Sequence, residues 1–261
     1  MANKNDQHCA APSGRNAFFT TTEPAPGVFF VQGPASNWII VRDESGFILI
    51  DSGYPGDSAL VLDSMRRLGL EPADAKAMLL THGHIDHTGS AALFSRTFGT
   101  PILCSAEELA HVQGLEKHQV SFGQALRKAW RPKVAAWMVH AISAGAFKAE
   151  PATAAQAWTA EQLKALPGRP EAIVVAGHTA GNVALVLPDA DAIATGDCLI
   201  TGHPISSHTG PQFLDPMFDT CPGAVPGSLD ALAGVSASVI LPGHGPALAT
   251  SLSGAISAAR G

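Results

Sequence analysis

Three histidines and an aspartate lie within six residues, between a short apolar run and a helix-like segment. The pattern reads His82-x-His84-x-Asp86-His87. The apolar residues 77–80 before it are typical of a buried strand, and residues 90–94 after it are typical of a capped helix. Imidazole nitrogen and carboxylate oxygen are ligands that Zn²⁺ prefers. The cluster is too dense for one small ion, so its spacing suggests two metals side by side.

Three later segments repeat this arrangement: a short apolar strand, a glycine, and a residue that can bind metal. Those residues are His178, Asp197 and His244. Glycine beside a ligand lets the backbone turn tightly and approach a site closely. In α/β sheets, sites gather at the ends of strands. We therefore expect the three residues to join the first cluster around the metal ions.

These seven residues, with the strand and turn over residues 47–53, resemble the metallo-β-lactamase-fold hydrolases. The resemblance extends over residues 28–246 and implies an α/β fold, an αββα sandwich with the metals at one sheet edge. The resemblance also implies an assignment of ligands. One metal takes His82, His84 and His178, the second takes Asp86, His87 and His244, and Asp197 bridges them. Asp51 is expected to orient a ligand loop rather than to bind metal directly.

Several branches of that family fit less well. The flavin-linked diiron branch has Glu where this chain has His84, and the true β-lactamases typically lack the bridging Asp197. The glyoxalase II branch adds a helical glutathione-binding domain. This chain stops 17 residues after His244 (261 minus 244), so we expect that domain to be absent. The RNA- and DNA-processing branches carry extra motifs or a large insertion. The lactonase branch often uses a tyrosine near the substrate, and the role of Tyr54 here stays open.

Together with the ligand pattern, the resemblance implies a hydrolase with two divalent metal ions, Zn²⁺ first, with Fe or Mn as alternatives. A hydroxide bridging the metals would attack an ester, lactone or thioester of a small molecule. Asp86 would carry the proton to the leaving group as the catalytic residue. The alternatives are an iron-dependent persulfide dioxygenase with one metal, a phosphodiesterase, and a ligand-binding regulator without catalysis.

Composition favours one soluble domain over residues 1–261. The hydrophobic content is 46% and the formal net charge is −6. Without a basic stripe, nucleic-acid binding is not expected. No apolar run reaches the ~20 residues of a membrane span, and the polar N-terminus has no signal-peptide core, so we expect a cytoplasmic enzyme. The four cysteines show no paired spacing and are expected to be free thiols. Cys198 is expected to point away from the metals.

Two segments lack metal-binding motifs. Residues 1–26 are polar and rich in proline, which predicts a loose N-terminal arm. Residues 106–166 show apolar residues at helical spacing, which predicts a helical insert. The insert could cap the site, form a homodimer surface, or simply pack as surface helices. We expect Trp130, Trp137 and Met138 of the insert to lie in the core.

The loop over residues 201–225 follows closely after Asp197. Loops of this length are uncommon unless they are functional, and small-molecule pockets combine apolar walls with a few polar groups. We therefore expect this loop to contact the substrate, although its histidines could instead be solvated. The candidate substrate-binding residues are His203, His208, Phe213 and Phe218.

Overall fold

The apolar runs of the sequence form two β-sheets in the computed structural model, which describes residues 19–261. In the first sheet, seven strands lie side by side in the order of the chain. The first four are antiparallel, and the last three continue parallel to the fourth. These strands are Thr20–Ala25 (β1), Val28–Gln32 (β2), Asn37–Asp43 (β3), Gly46–Ile50 (β4), Ala75–Leu79 (β5), Ile102–Cys104 (β6) and Gln156–Ala157 (β7).

The second sheet has five strands in the order β12-β11-β10-β9-β8. Its strands β10 and β11 are parallel, and its other neighbours are antiparallel. The strands are Glu171–Val174 (β8), Val183–Leu187 (β9), Ala192–Gly196 (β10), Val239–Pro242 (β11) and Leu248–Ala249 (β12).

The core lies between the sheets because successive side chains of a strand point to opposite faces. Along β4, Ile48 and Ile50 pack against the second sheet, whereas Leu49 packs on the outer face. Along β9, Leu185 faces the first sheet and Ala184 faces outward. Both sheets are therefore buried on two sides, which is why their strands are almost continuously apolar.

Helices cover the two outer faces. Met65 of α1 and Phe94 of α3 pack on the first sheet, and Val225 of α8 and Leu252 of α9 pack on the second. The predicted αββα sandwich is confirmed.

Among residues 19–261, no helix is long and apolar enough to cross a bilayer. The helices are Ser58–Arg67 (α1), Ile85–Thr88 (α2), Ala91–Phe98 (α3), Leu109–Val112 (α4), Phe122–Arg127 (α5), Pro132–Ser143 (α6), Ala160–Lys164 (α7), Val225–Ser228 (α8) and Leu252–Arg260 (α9).

The prediction of a loose arm over residues 1–26 is wrong for its last part. Residues 20–25 form β1, which pairs with β2 and buries Ala25 in the core between the sheets. Threonines favour a strand, and the edge position tolerates Pro24 beside an irregularity in the pairing. Residues 1–18 of the predicted arm lie outside the described residues.

The segment over residues 106–166 contains α4 to α7, but it is not wholly helical. Its residues Gln156–Ala157 form β7, which pairs with β6 and extends the first sheet. Met138 of α6 is buried, as expected. Trp130 is 81% exposed, so its expected place in the core is wrong. Apolar spacing alone does not show which face of a short surface helix meets the sandwich.

Candidate metal centre

The seven predicted ligands come together at one edge of the sandwich, where strands of both sheets end. The first motif follows β5 of the first sheet, and the other three residues follow β8, β10 and β11 of the second. Three groups of ligand atoms form, and the atoms of each group lie within 4.8 Å of one another. The groups are His82, His84 and His178; His82, His87 and Asp197; and Asp86, His87 and His244.

Asp197 lies between the two ligand sets that the resemblance implied. Its Oδ2 atom is 3.4 Å from Nε2 of His178 in one set and 3.2 Å from Nε2 of His244 in the other. Its Oδ1 atom is 3.5 Å from Nε2 of His87. The carboxylate of Asp197 therefore faces both sets at once, which is the position that a bridging ligand requires.

Gly243 allows the backbone of the loop after β11 to approach this carboxylate. A Cβ atom at Gly243 would lie 2.8 Å from Cε1 of His87 and closer still to Oδ1 of Asp197. Both contacts are shorter than real Cβ atoms show. The glycine in the Pro-Gly-His sequence is therefore a steric requirement of the site.

Each imidazole of the cluster has one nitrogen bonded to an oxygen outside it. Carboxylate and carbonyl oxygens only accept hydrogen bonds, so the outer nitrogen of the histidine must carry the proton. The outer partners are Asp51 Oδ2 for His87 (2.9 Å), Asp219 Oδ1 for His178 (3.0 Å), Ala35 O for His244 (2.7 Å), His118 O for His84 (2.7 Å) and Thr81 Oγ1 for His82 (3.0 Å).

The Thr81 hydroxyl fits the same scheme because it donates its own proton to Asp51 (2.7 Å) and can then accept from His82. In the neutral form of each ring, the inner nitrogen is thus left with a lone pair that faces the centre. The Asp197 carboxylate raises the pKa of His87 and of His244, whose inner nitrogens face it, so a bound cation would compete with a proton there. The inner nitrogens of His84 and His178 lie 2.9 Å apart. Two lone pairs at that distance repel each other unless a cation lies between them.

Several inner atoms have no partner among the described residues. Nε2 of His82, Nε2 of His87 and Oδ1 of Asp197 are buried without a hydrogen bond. Such atoms are costly to bury unsatisfied, and metal ions would satisfy them. Burial lowers the pKa of His82 and of His84 well below the ordinary value, and neighbouring histidines add to the effect. Both side chains stay neutral near pH 7, so the residues present fit two divalent cations.

Asp51 lies where the prediction puts it, outside the ligands. Its Oδ1 accepts from the backbone N–H of Thr81 (2.8 Å), and its Oδ2 accepts from the Thr81 hydroxyl and from Nδ1 of His87. The Asp51 carboxylate therefore fixes Thr81 at the start of the ligand loop, and it also orients the His87 imidazole. Ligand histidines are commonly held in this way.

A buried carboxylate that the sequence did not single out, Glu108, connects two ligand loops. Glu108 is 1% exposed. It accepts from the backbone N–H of Gly83 (2.8 Å) inside the first motif and of Gly181 (2.8 Å) just after His178. Its Oε2 lies 3.3 Å from Nδ1 of His111. Burial alone would raise the pKa of Glu108, but these hydrogen bonds hold the pKa below its ordinary value.

Two of the four predicted substrate-binding residues lie at the centre. His203 and Phe218 line a small cavity over the ligand cluster, and the His203 ring is 4.8 Å from that of His244. His208 is exposed, and Phe213 packs against the core behind the second sheet. The structure does not bring His208 and Phe213 to the ligand cluster, because the tertiary path of a long loop decides which of its side chains face inward.

The wall of the small cavity contains two further side chains, one whose role the sequence left open and one that was expected in the core. Tyr54 and Trp137 belong to it, and Trp137 is only partly buried rather than in the core as expected. Burial and the charge of Asp86 raise the pKa of Tyr54 well above its ordinary value, so its hydroxyl stays protonated. Its place three residues after Asp51 is a usable signal. Trp137 carries no signal that separates it from a core residue.

Cys198 does not face the metal centre. Its thiol donates to the backbone oxygen of Thr195 (3.0 Å) within the core behind the second sheet, and burial raises its pKa to about 12. Cys104 and Cys221 are also free, as predicted. Cys9 lies outside the described residues.

Comparison with known proteins agrees with this architecture. A family profile described as the metallo-beta-lactamase superfamily matches residues 31–244. The probable metallo-hydrolase YflN of Bacillus subtilis is 24% identical over 230 residues, which cover 84% of this chain and 80% of that protein. Hydroxyacylglutathione hydrolase GloC of Haemophilus influenzae is 28% identical over 165 residues, covering 63% and 66%.

Solved structures share the fold. A B3 metallo-beta-lactamase with an active-site glutamic acid superposes with a TM-score of 0.62 at 17% identity, covering 93% of this chain and 86% of that one. TTHA1623, in a di-iron-bound form, superposes with a TM-score of 0.54 at 23% identity, covering 89% and 94%. With the matched profile and the assembled histidine and aspartate cluster, these comparisons show that the chain is a metallo-hydrolase of the metallo-beta-lactamase superfamily.

Proposed function

We propose that this protein is a two-metal hydrolase that cleaves a thioester, ester or lactone of a small molecule. The observation that carries the proposal is the shared orientation of five histidines. Each directs one N–H to a hydrogen-bond acceptor outside the cluster and turns its other nitrogen toward the centre, where the carboxylates of Asp197 and Asp86 lie. Such an arrangement is costly for five buried side chains unless it serves to bind cations.

One ion would be held by His82, His84 and His178, and the second by Asp86, His87 and His244, with Asp197 shared. When bound, two divalent cations lower the pKa of water and polarise a carbonyl oxygen. The nitrogen-rich ligand set suits zinc. Iron is the alternative, and the di-iron form of the structurally similar TTHA1623 supports keeping it.

Asp86 is placed to move a proton during the reaction. Its side chain is 14% exposed and lines the small cavity, whereas the neighbouring His87 is fully buried. One oxygen of Asp86 lies 3.4 Å from Nε2 of His244. The other oxygen can carry a proton to the atom that leaves the carbonyl carbon.

His203 can orient the substrate. Its Nδ1 accepts from the backbone N–H of Ile205 (3.3 Å), so its Nε2 carries the proton. Burial lowers the pKa of His203 well below its ordinary value, which keeps the ring neutral. A neutral Nε2–H in the cavity wall can donate to a carbonyl oxygen of the substrate.

A carboxylic bond is favoured over a phosphodiester. Among the described residues that line the small cavity, none is lysine or arginine, so no cationic side chain there is available to pair with a phosphate. The hydroxyacylglutathione hydrolases among the relatives are named for a thioester substrate. We therefore place thioesters first, followed by esters and lactones.

The test is turnover of a substrate panel by protein loaded with zinc. Hydrolysis of S-acyl thioesters, aryl esters or lactones, abolished by chelation and by Asp86→Asn, is expected. Asp63→Asn, on the exposed face of α1, is the matched control and should retain full activity. Turnover of bis-p-nitrophenyl phosphate alone would contradict the proposal. One iron per chain with oxygen consumption on a persulfide would indicate the dioxygenase instead.

A further inference from the structure

The small cavity over the ligand cluster cannot hold a whole organic substrate. Its volume is about 20 Å³. That space accommodates little more than ions and a water molecule, whereas pockets for small organic ligands measure roughly 300–1,000 Å³. Most of the substrate must therefore lie beside this cavity.

A large cavity of about 450 Å³ adjoins the small one. The two share the side chains of Tyr54, Gln119, Val120 and Trp137 as lining residues. The two cavities therefore meet at Tyr54 and Trp137, which is where a molecule whose reacting bond lies at the ligand cluster would extend into the large cavity.

The walls of the large cavity are apolar. Lys117 is the one charged side chain among its described lining residues. The apolar walls come largely from α5, α6 and the loop that follows α6, and include Phe122, Met138, Ala141, Ile142 and Phe147. Apolar walls of this kind gain free energy by covering hydrocarbon, and they offer few partners to a polar or charged group.

Exposure increases along the large cavity from the metal centre outward. Tyr54 and Ala141 at its inner part are buried, whereas Ile142, Phe122 and Phe147 are 46%, 50% and 69% exposed. The rings of Phe122 and Phe147 meet edge to face, 5.9 Å apart. The large cavity therefore opens to solvent on the side of these exposed side chains, and a ligand longer than the cavity can emerge there.

We infer that the natural substrate carries an aliphatic chain, joined to the scissile carbonyl or to its leaving atom, and that this chain lies in the large cavity. The inference rests on the proposed function, because the ligand cluster must be the place where the bond is cut. If the inference holds, helices α5 and α6 of the insert form the wall of the substrate site.

Two substrate series test the inference with zinc-loaded protein. One varies the acyl chain of N-acetylcysteamine thioesters from two to twelve carbons, and the other varies the alkyl chain of acetate esters. In at least one series we expect kcat/KM to rise by about two- to fourfold per methylene up to about eight carbons. It should then level off, because the outer end of the cavity is open. Equal kcat/KM at all lengths in both series would overturn the inference.

Paired variants on α6 locate the effect. Ala141→Phe adds a ring at the inner wall of the large cavity, whereas Ala136→Phe places the same ring on the exposed face of the helix. Ala141→Phe should lose the preference for long chains, so that its kcat/KM no longer rises with chain length. Ala136→Phe should behave as the wild type. Retention of the long-chain preference in Ala141→Phe would contradict the assignment.

A second pair avoids buried positions. Ile142→Asp puts a charge in the wall of the large cavity, and Val139→Asp puts one on the same helix outside it. Decanoate should raise the melting temperature of the wild type and of Val139→Asp but not of Ile142→Asp. This binding measurement separates the two proposals. Absence of all turnover would contradict the proposed function. Equal binding of decanoate to all three proteins, or binding to none of them, would contradict the inferred chain site.

Discussion

At the scale of single residues, the metal centre depends on atoms that do not touch metal. Asp51, Asp219 and the carbonyl oxygens of Ala35 and His118 each fix one imidazole by accepting the proton of its outer nitrogen. These contacts decide the tautomer, and the tautomer decides whether a lone pair faces the centre. The ligand residues were recognisable in the sequence, and Asp51 was too, because it ends a strand. Asp219 lies in a long loop with no pattern around it and was not recognisable.

The first prediction concerns Asp51. Asp51→Asn should weaken metal binding about 10- to 100-fold, because the uncharged amide cannot accept both from Thr81 and from His87 as the carboxylate does. Titration with zinc against a competing chelator measures the affinity. Asp63→Asn is the control. Unchanged affinity in Asp51→Asn would show that the orientation of His87 does not depend on this carboxylate.

The second prediction concerns Glu108 and pH. Glu108→Gln should lower the free energy of unfolding near pH 7 by about 1.5–3 kcal/mol, as expected for hydrogen bonds to a buried charge. Because the folded pKa of Glu108 lies below its ordinary value of 4.5, this stabilisation is present above pH 4.5 and declines as pH falls through the folded pKa.

Urea unfolding of wild type and Glu108→Gln at pH 7 and at pH 4, both in chelator, measures that difference. The chelator removes the separate effect of metal loss in acid. A difference between the two proteins that grows on acidification would contradict the lowered pKa of Glu108. Glu116→Gln, at an exposed glutamate near the same segment, should have little effect at either pH.

At the scale of elements, the site is built by strands that end at one edge. Strands β2 to β6 and β8 to β11 were predictable because they are short, largely apolar and bounded by glycine or polar turns. Strand β1 was not predictable, because it is an edge strand that buries few side chains and its mostly polar sequence has no apolar alternation. β7 was not either, because two residues carry no periodicity. The insert showed helical spacing, but which side of α6 lines the large cavity depends on packing against distant loops.

The third prediction concerns the loop after β11. Gly243→Ala should abolish binding of at least one metal, because its Cβ would lie against the Asp197 carboxylate and the His87 ring. Gly123→Ala, where a Cβ meets nothing within 4 Å, should bind metal as the wild type does. Metal content by mass spectrometry of both variants measures this. Full occupancy in Gly243→Ala would mean that the loop has room to move.

At the scale of the whole molecule, metal ions would join the two sheets. The first sheet supplies His82, His84, Asp86 and His87, and the second supplies His178, Asp197 and His244. No single sheet completes either ligand group, so binding should stabilise the packing of one sheet on the other. An ion that binds only the folded chain adds about 4 kcal/mol when present at 1,000 times its Kd.

The fourth prediction follows from that linkage. Zinc should raise the melting temperature of the wild type, and a chelator should reverse the effect. Asp197→Ala should lose both the rise and the activity, because the shared ligand is gone. Thermal unfolding with and without zinc measures the change. Two bound metals and normal turnover in Asp197→Ala would contradict the bridging role.

The most direct test of the two-metal centre is anomalous diffraction from crystals of the zinc-loaded protein. We expect two peaks about 3.5–4 Å apart, one bounded by His82, His84 and His178 and the other by Asp86, His87 and His244, with Asp197 between them. A map without a peak at this edge of the sandwich, or with His178 or His244 turned away from it, would contradict the central claim that both sheets jointly bind two metals.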